Sequence, residues 1–596
     1  MRRINALLQA GSFRSAHDQL EIIVRDNPDF VEGLRLFAGT KQALGDICDA
    51  EKLLREAMVL DPTWTPTLAT LGELLLSSGR NDEAVTLLRR AVAGSPRYPR
   101  AALLLARYYN DLQHPAQALD VAAPFCTHAV VDAELAAQHI AALGALGRQD
   151  EAVASYRRIL DAAPNNLAAA HALAIALDVA ARPADAERVA DYALNRGYKT
   201  AALYNTLARS LIALGAYDRA EAALRDCLRL EPRLVDAQSN LAQLVWMRTG
   251  DSTQATATLD QTLQRFTKDD ALWAAKASIL QGTGDARSAY ACIAEQASRL
   301  QAPPALLVRA GLAALEFDPA TALTLAERAL RILPSNAPAR SLMAAAQLGL
   351  GDARGALPNC EALLAESPDD QYFISLQTIA WRLLGDERYA QLCNYKNLVL
   401  PQQLETPSAW SSLASFFADL KRSLDVLHNP HGHPLLFQSL RHGTETTQDL
   451  TRSSDPVIQA LFKTFDTPIR NYLAYIGHGT DPLRRRNNAT YRFNGSWSVR
   501  LRTSGYHNNH VHPRGWISSA CYIELPDSMA DPQSHAGALT FGQPSIATMP
   551  ALNAEHIVRP TVGMLVLFPS YFWHGTVPFS SSQTRLTVAF DAVPNR

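Results

Sequence analysis

Between Tyr506 and Asp591 the chain places histidines and an arginine at spacings that could hold a metal ion and an anion. His510 and His512 stand one residue apart in the run HVHP. If that run ends an extended segment, both side chains leave the same face, because strand side chains alternate with period two. His574 closes the run GMLVLFPSYFWH, which reads as an apolar strand, a turn-prone Pro-Ser and then the histidine. Arg585 follows eleven residues later in TRLTVAFD, where alternation sets Arg585 and Thr587 on one face and Leu586 and Val588 on the other. A ferrous centre that activates oxygen needs imidazole-type ligands on one side and open positions on the other. Two close histidines and a third returned from a distant strand suit a non-haem iron site. A buried guanidinium nearby needs an anionic partner, and a dicarboxylate co-substrate would meet it in bidentate fashion.

These residues need strands that return to one place. ATYRFNGSWSVRLRT alternates as a strand does, and VIQALFKTFDTPIRNYLAYI reads as a helix packed on the sheet. From His428 onward helix-forming alanine gives way to aromatics, Pro, Gly, Asn and β-branched residues. The pattern is consistent with a double-stranded β-helix, or jelly roll, over residues 425–596.

That region resembles the 2-oxoglutarate- and Fe(II)-dependent dioxygenases of the prolyl 4-hydroxylase-like superfamily, whose motif is His-x-Asp, a distal His, and an Arg or Lys about ten residues on. The likeness is carried by His510, the CYIELP strand with Tyr522, the GALTF segment at 537–541, His574 and Arg585. It is closest to a bacterial subgroup with an HxHP motif. The resemblance implies Fe(II) held by His510, His512 and His574, and 2-oxoglutarate anchored by Arg585 with Tyr522 at its carboxylate. Thr587, on the Arg585 face, is grouped with the co-substrate contacts. Catalytic roles fall to His510, His574 and Arg585, O2 is the second co-substrate, and the outcome is succinate, CO2 and a hydroxylated C–H bond. His512 stands where the family has Asp. Either the site has three histidines, or His512 is no ligand and water or a more distant acid completes the shell.

Residues 1–392 carry a different signal. Gly11, Gly45, Gly79, Gly147, Gly215, Gly351 and Gly385 are spaced by multiples of 34. Pro28, Pro62, Pro96, Pro164, Pro232, Pro334 and Pro368 keep the same register, and so do Ala16, Ala50, Ala84, Ala152, Ala220, Ala322 and Ala356. The grammar resembles the tetratricopeptide (TPR) repeat: Gly turns helix A into helix B, the small residue lets them approach, and Pro ends helix B. It implies an all-α solenoid of about eleven repeats, with a capping unit around Gly385. Gln113 and Ala181 replace the glycine, while Gly250 and Gly284 come one residue late, as single-residue insertions would place them. Residues 393–424, with the exposed-looking LPQQLETP and an amphipathic helix, read as a connector.

A net charge of −2 gives no bulk electrostatic case for nucleic acid or an anionic membrane. The N-terminal MRRINALLQAGSFRSA falls short of a signal or membrane segment, and seven scattered cysteines without CxxC suit a reducing compartment, so the expectation is a cytoplasmic protein. His428, His431 and His433 in HNPHGHP read as a turn-rich loop rather than a second metal site, and His507 as a neighbour of the ligands or a substrate-facing group. Trp516 and Trp573 beside the ligands are pocket wall or core. Arg585 has a bland alternative in an ion pair with Asp591 or Asp527. Two functions fit: an enzyme hydroxylating a peptide or protein recruited on the concave face of the array, or a TPR scaffold whose oxygenase domain is inactive or sensor-like.

Overall fold

The computed structural model describes residues 1–596 except 10, 95–97, 113, 127–130, 429–435, 437, 530, 532 and 596. The chain divides into two compact units, Met1–Ala223 and Leu224–Arg596. Pro96, Gln113, His431 and His433 lie outside the described residues.

The first unit is built of helix pairs in the 34-residue register: Val31–Ala43 with Ile47–Leu60, Thr65–Ser77 with Asn81–Gly94, and onward to Leu167–Val179 with Pro183–Asn195. Ala16, Ala50, Ala84, Ala152 and Ala220 are all fully buried, because a larger side chain there would push the paired helices apart. The inter-helix turn takes a left-handed residue, φ 93° at Gly45, and Ala181 adopts the same region at φ 52° despite its Cβ.

The second unit continues the pairs from Val235–Thr249 to Gln371–Leu384. The displaced glycines have a simple origin. Helix Val235–Thr249 is 15 residues long and closes on left-handed Gly250, so the next first-helix starts late, at Asp270. The shortened 11-residue helix Pro304–Ala314 brings the register back by Ala337.

The C-terminal part holds strands β1 (Leu400–Gln403), β2 (Leu440–Glu445), β3 (Arg492–His507), β4 (Ile517–Glu524), β5 (Leu539–Phe541), β6 (His556–Val558), β7 (Met564–Pro569), β8 (His574–Thr576) and β9 (Arg585–Val593). They form a six-stranded sheet ordered β1-β7-β4-β9-β3-β2 and a three-stranded sheet ordered β6-β5-β8, with every pairing antiparallel. This is the jelly-roll arrangement. One face of the large sheet, carrying Cys521, Leu586, Val588, Phe590 and Ala592, packs with Phe416, Leu461, Phe465, Ile469 and Tyr472 of the covering helices. The other face looks toward the site.

Two expectations change here. Residues 393–424 are packed into the domain rather than forming a connector: the segment expected to be exposed supplies β1, paired with β7, and the expected amphipathic helix, Leu413–Asp425, buries Phe416, Phe417, Leu420 and Leu424. Pro401 suits this position, since it holds Leu400 extended and an edge strand can spare its missing N–H. The helix expected from VIQALFKTFDTPIRNYLAYI is two helices, Pro456–Thr464 and Asp466–Ile476. The Pro468 ring would collide with the Thr464 carbonyl four residues back, so the first helix ends there. Among the described residues, all seven cysteines are free, and no helix is long and apolar enough to cross a membrane.

Candidate metal and co-substrate site

His510 and His574 face each other across an antiparallel bridge in which each backbone N–H donates to the other's carbonyl, at 2.9 and 3.0 Å. The His512 N–H donates to the Ser570 carbonyl at 3.0 Å, which fixes the third histidine beside them. One ring nitrogen from each of the three lies within 4.8 Å of the others. In every ring Nδ1 is already engaged: with the Asn508 carbonyl in His510 (2.8 Å), the Phe572 carbonyl in His574 (2.9 Å) and the Asp591 carboxylate in His512 (2.8 Å). Carbonyls and carboxylates only accept, so each Nδ1 carries the proton and each Nε2 keeps a lone pair for a metal. Burial, helped by the neighbouring His512, pushes His510 down to about 3, and burial holds His574 well below its ordinary value. Both are therefore neutral and ready to ligate. Burial also disfavours charge on His512, but Asp591 more than offsets it and raises the group.

The histidine in the carboxylate position of His-x-Asp has an acid for a partner, Asp591. It lies behind His512, accepts a second hydrogen bond from Ser518 at 2.7 Å, and orients the imidazole. Trp497 stacks on the same ring at 5.6 Å. Gly515 allows this packing, since a Cβ there would come within 2.3 Å of Ser570 Oγ.

Arg585 starts β9 on the site face. It is buried, Asp591 is committed to His512 and Ser518, and Asp527 bonds to Gln583. Neither ion pair considered for Arg585 forms among the described residues. Its Nε and Nη1 have no hydrogen-bond partner, and neither has the Tyr522 hydroxyl, whose ring centroid lies 5.1 Å from Arg585 Cζ. Burial lowers the guanidinium from its usual value. Thr587 pairs across with Tyr522, and its hydroxyl reaches the Val499 carbonyl at 3.5 Å. Unpaired donors at one end and three convergent lone pairs at the other fit a divalent cation and a carboxylate ligand.

Residues 495–591 match the family described as "Putative 2OG-Fe(II) oxygenase". Residues 75–124, 211–279 and 142–166 match tetratricopeptide repeat families. The chain joins a TPR array to an oxygenase-type domain. Among curated proteins none matches it. Solved structures similar to it include a tetratricopeptide repeat protein from Parabacteroides merdae, 14% identical over 41% of this chain and 96% of that one, TM-score 0.33. Yeast Tom70 is 13% identical over 65% and 96%, TM-score 0.34. At such scores these likenesses decide nothing about this chain.

The TPR array reaches the oxygenase-type domain at the site itself. Val511, between two of the histidines, and Trp573, next to the third, pack with Leu348, Cys360, Leu376 and Ile379 of the last repeats. Tyr372 meets Trp573 edge-on at 6.2 Å, the Gln371 N–H donates to the Pro513 carbonyl at 3.1 Å, and Arg382 donates to the Gly542 carbonyl at 2.6 Å. Trp516 is core, donating to the Leu483 carbonyl at 2.8 Å. His507 lies beside the trio, stacked on His510 at 5.9 Å with Nδ1 2.9 Å from Ser439 Oγ. His428 is spent elsewhere, between the Thr444 and Ser498 hydroxyls at 3.0 Å each.

Sequence reasoning missed Glu445 and the role of Asp591, which it named only as a possible partner of Arg585. Asp591 was legible by alternation from Arg585, three steps along the same strand face, but its bond to His512 was not. Glu445, on β2, had no sequence signal; burial pushes its carboxyl up to about 8, with His512 acting against the shift.

Proposed function

We propose that this protein is a 2-oxoglutarate- and Fe(II)-dependent oxygenase that hydroxylates a side chain of a peptide or protein gathered by the TPR array. The observation that carries the reading is Arg585, a buried guanidinium with two unpartnered nitrogens beside an unpartnered Tyr522 hydroxyl. Leaving such a group desolvated is costly, and the distal carboxylate of 2-oxoglutarate would offset that cost through paired N–H···O bonds. The iron would be held by Nε2 of His510, His512 and His574. Bound there, it supplies activation of O2 coupled to decarboxylation of the co-substrate.

The chain's own residues bind, orient and shield. Asp591 holds the proton on His512 Nδ1 and so keeps Nε2 directed inward. Phe568 and Phe541 cover His574 at 4.7 and 6.2 Å and keep water from its outer face. A recruiting role for the array is supported by its contact with Val511 and Trp573, which puts the last repeats next to the ligands.

The test is anaerobic addition of Fe(II) and 2-oxoglutarate to the full chain. The expected result is a weak visible charge-transfer band and, on admitting O2, succinate. Neither appearing would refute the reading. A scaffold with an inactive domain, whose support is His512 in the carboxylate position, would show no succinate.

A further inference from the structure

We propose that Glu445 selects the substrate by taking a cationic side chain, of arginine or lysine type, into the mouth of the site. The inference rests on the oxygenase reading and names the substrate class for it.

β2 is the edge strand opposite β1 in the large sheet, and its register fixes which face carries Glu445. Glu445 pairs with Val499, Val499 with Thr587, and Thr587 with Tyr522. These four residues form one row on the face that also carries Arg585 and Asp591. The neighbouring Thr444 points the opposite way, where it meets His428. Glu445 therefore lies on the same sheet face as the co-substrate anchor, at the far end of the row from Tyr522.

The two acids on this face differ. Asp591 is engaged twice, by His512 and Ser518. The Glu445 side chain makes no hydrogen bond or ion pair among the described residues. It stands apart from the ligand trio, whose atoms come from His510, His512 and His574. It is partly exposed, so a ligand can reach it. A half-buried carboxyl without a partner is a standing demand for positive charge, just as buried Arg585 is for negative charge. Arg585 lies deep and is matched to the co-substrate, which leaves Glu445 to face the substrate.

The experiment uses the full chain loaded with Mn(II) and 2-oxoglutarate, with two probes: N-acetyl-arginine methylamide and its neutral analogue N-acetyl-citrulline methylamide. Binding is read from paramagnetic broadening of probe protons near Mn(II), titrated for wild type and Glu445→Gln. The expected result is about ten- to hundredfold tighter binding of the arginine probe by wild type, the scale of a charge-assisted contact, and loss of that preference in Glu445→Gln with Mn(II) and 2-oxoglutarate affinity unchanged. Wild type binding both probes alike, or neither, would overturn the proposal even if the variant failed to fold. Retained preference in Glu445→Gln would overturn it too, and loss of Mn(II) would make Glu445 a ligand instead. Wild type binding neither Mn(II) nor 2-oxoglutarate would overturn the underlying oxygenase reading.

Discussion

Replacing Arg585 with Met should stabilise the empty protein and cripple the loaded one. Arg585 is only 3% exposed, and its Nε and Nη1 lack partners. An unsatisfied buried polar group costs about 1–3 kcal/mol, more if charged, so removing it should raise the stability of the empty state by that order. Met keeps an unbranched apolar stem of similar length, so little cavity opens. The opposite sign applies to binding. Hydrogen bonds to a charged group contribute roughly 1.5–3 kcal/mol, and losing a two-point contact of about 3 kcal/mol means about a hundredfold weaker 2-oxoglutarate binding at about 1.4 kcal/mol per decade. The assay is thermal unfolding of wild type and Arg585→Met with chelator alone, then with Mn(II) and rising 2-oxoglutarate. The variant should melt higher when empty and gain little from the ligand, while Mn(II) binding stays as in wild type. A variant that melts lower when empty yet titrates 2-oxoglutarate like wild type would refute the reasoning and assign Arg585 a structural role.

Asp591→Asn should weaken Mn(II) or Fe(II) binding about ten- to hundredfold with the fold intact by circular dichroism, since an amide cannot hold the His512 proton as a carboxylate does; unchanged metal affinity would show that His512 needs no such partner. Ala181→Gly should stabilise the first unit by about 1 kcal/mol, because Ala181 sits at φ 52° where a Cβ is strained, and it should leave metal binding alone; a lower unfolding midpoint would contradict that account. A fragment of residues 405–596 should fail to fold as a soluble monomer, whereas one beginning near residue 333 should keep its Mn(II) site. The shorter piece loses β1 and the core residues Ile374, Trp381, Tyr395 and Leu398. Metal binding by the shorter fragment at wild-type affinity would refute this.

Much of this protein is written in local periodicity. A 34-residue recurrence of Gly, Ala and Pro is enough to place helix pairs and to mark Ala50 or Ala152 as contact points, because each repeat packs chiefly on its neighbours. Period-two alternation likewise sets Arg585 and Thr587 on one face of β9, and residue type together with spacing brings His510, His512 and His574 into one hypothesis. Partners that lie far apart in sequence are a different matter. That Asp591 stands behind His512, 79 residues away, depends on where β9 falls beside β4. That Arg585 forms neither expected ion pair depends on Asp591 and Asp527 being engaged elsewhere. The LPQQ segment reads as exposed linker, yet it completes the sheet, because the free edge of β7 offers its hydrogen bonds to an extended chain. Glu445 looks like any strand glutamate until β2, β3, β9 and β4 stand in register. A side chain's face follows from its own neighbours in sequence; what it faces is decided only when distant elements pack.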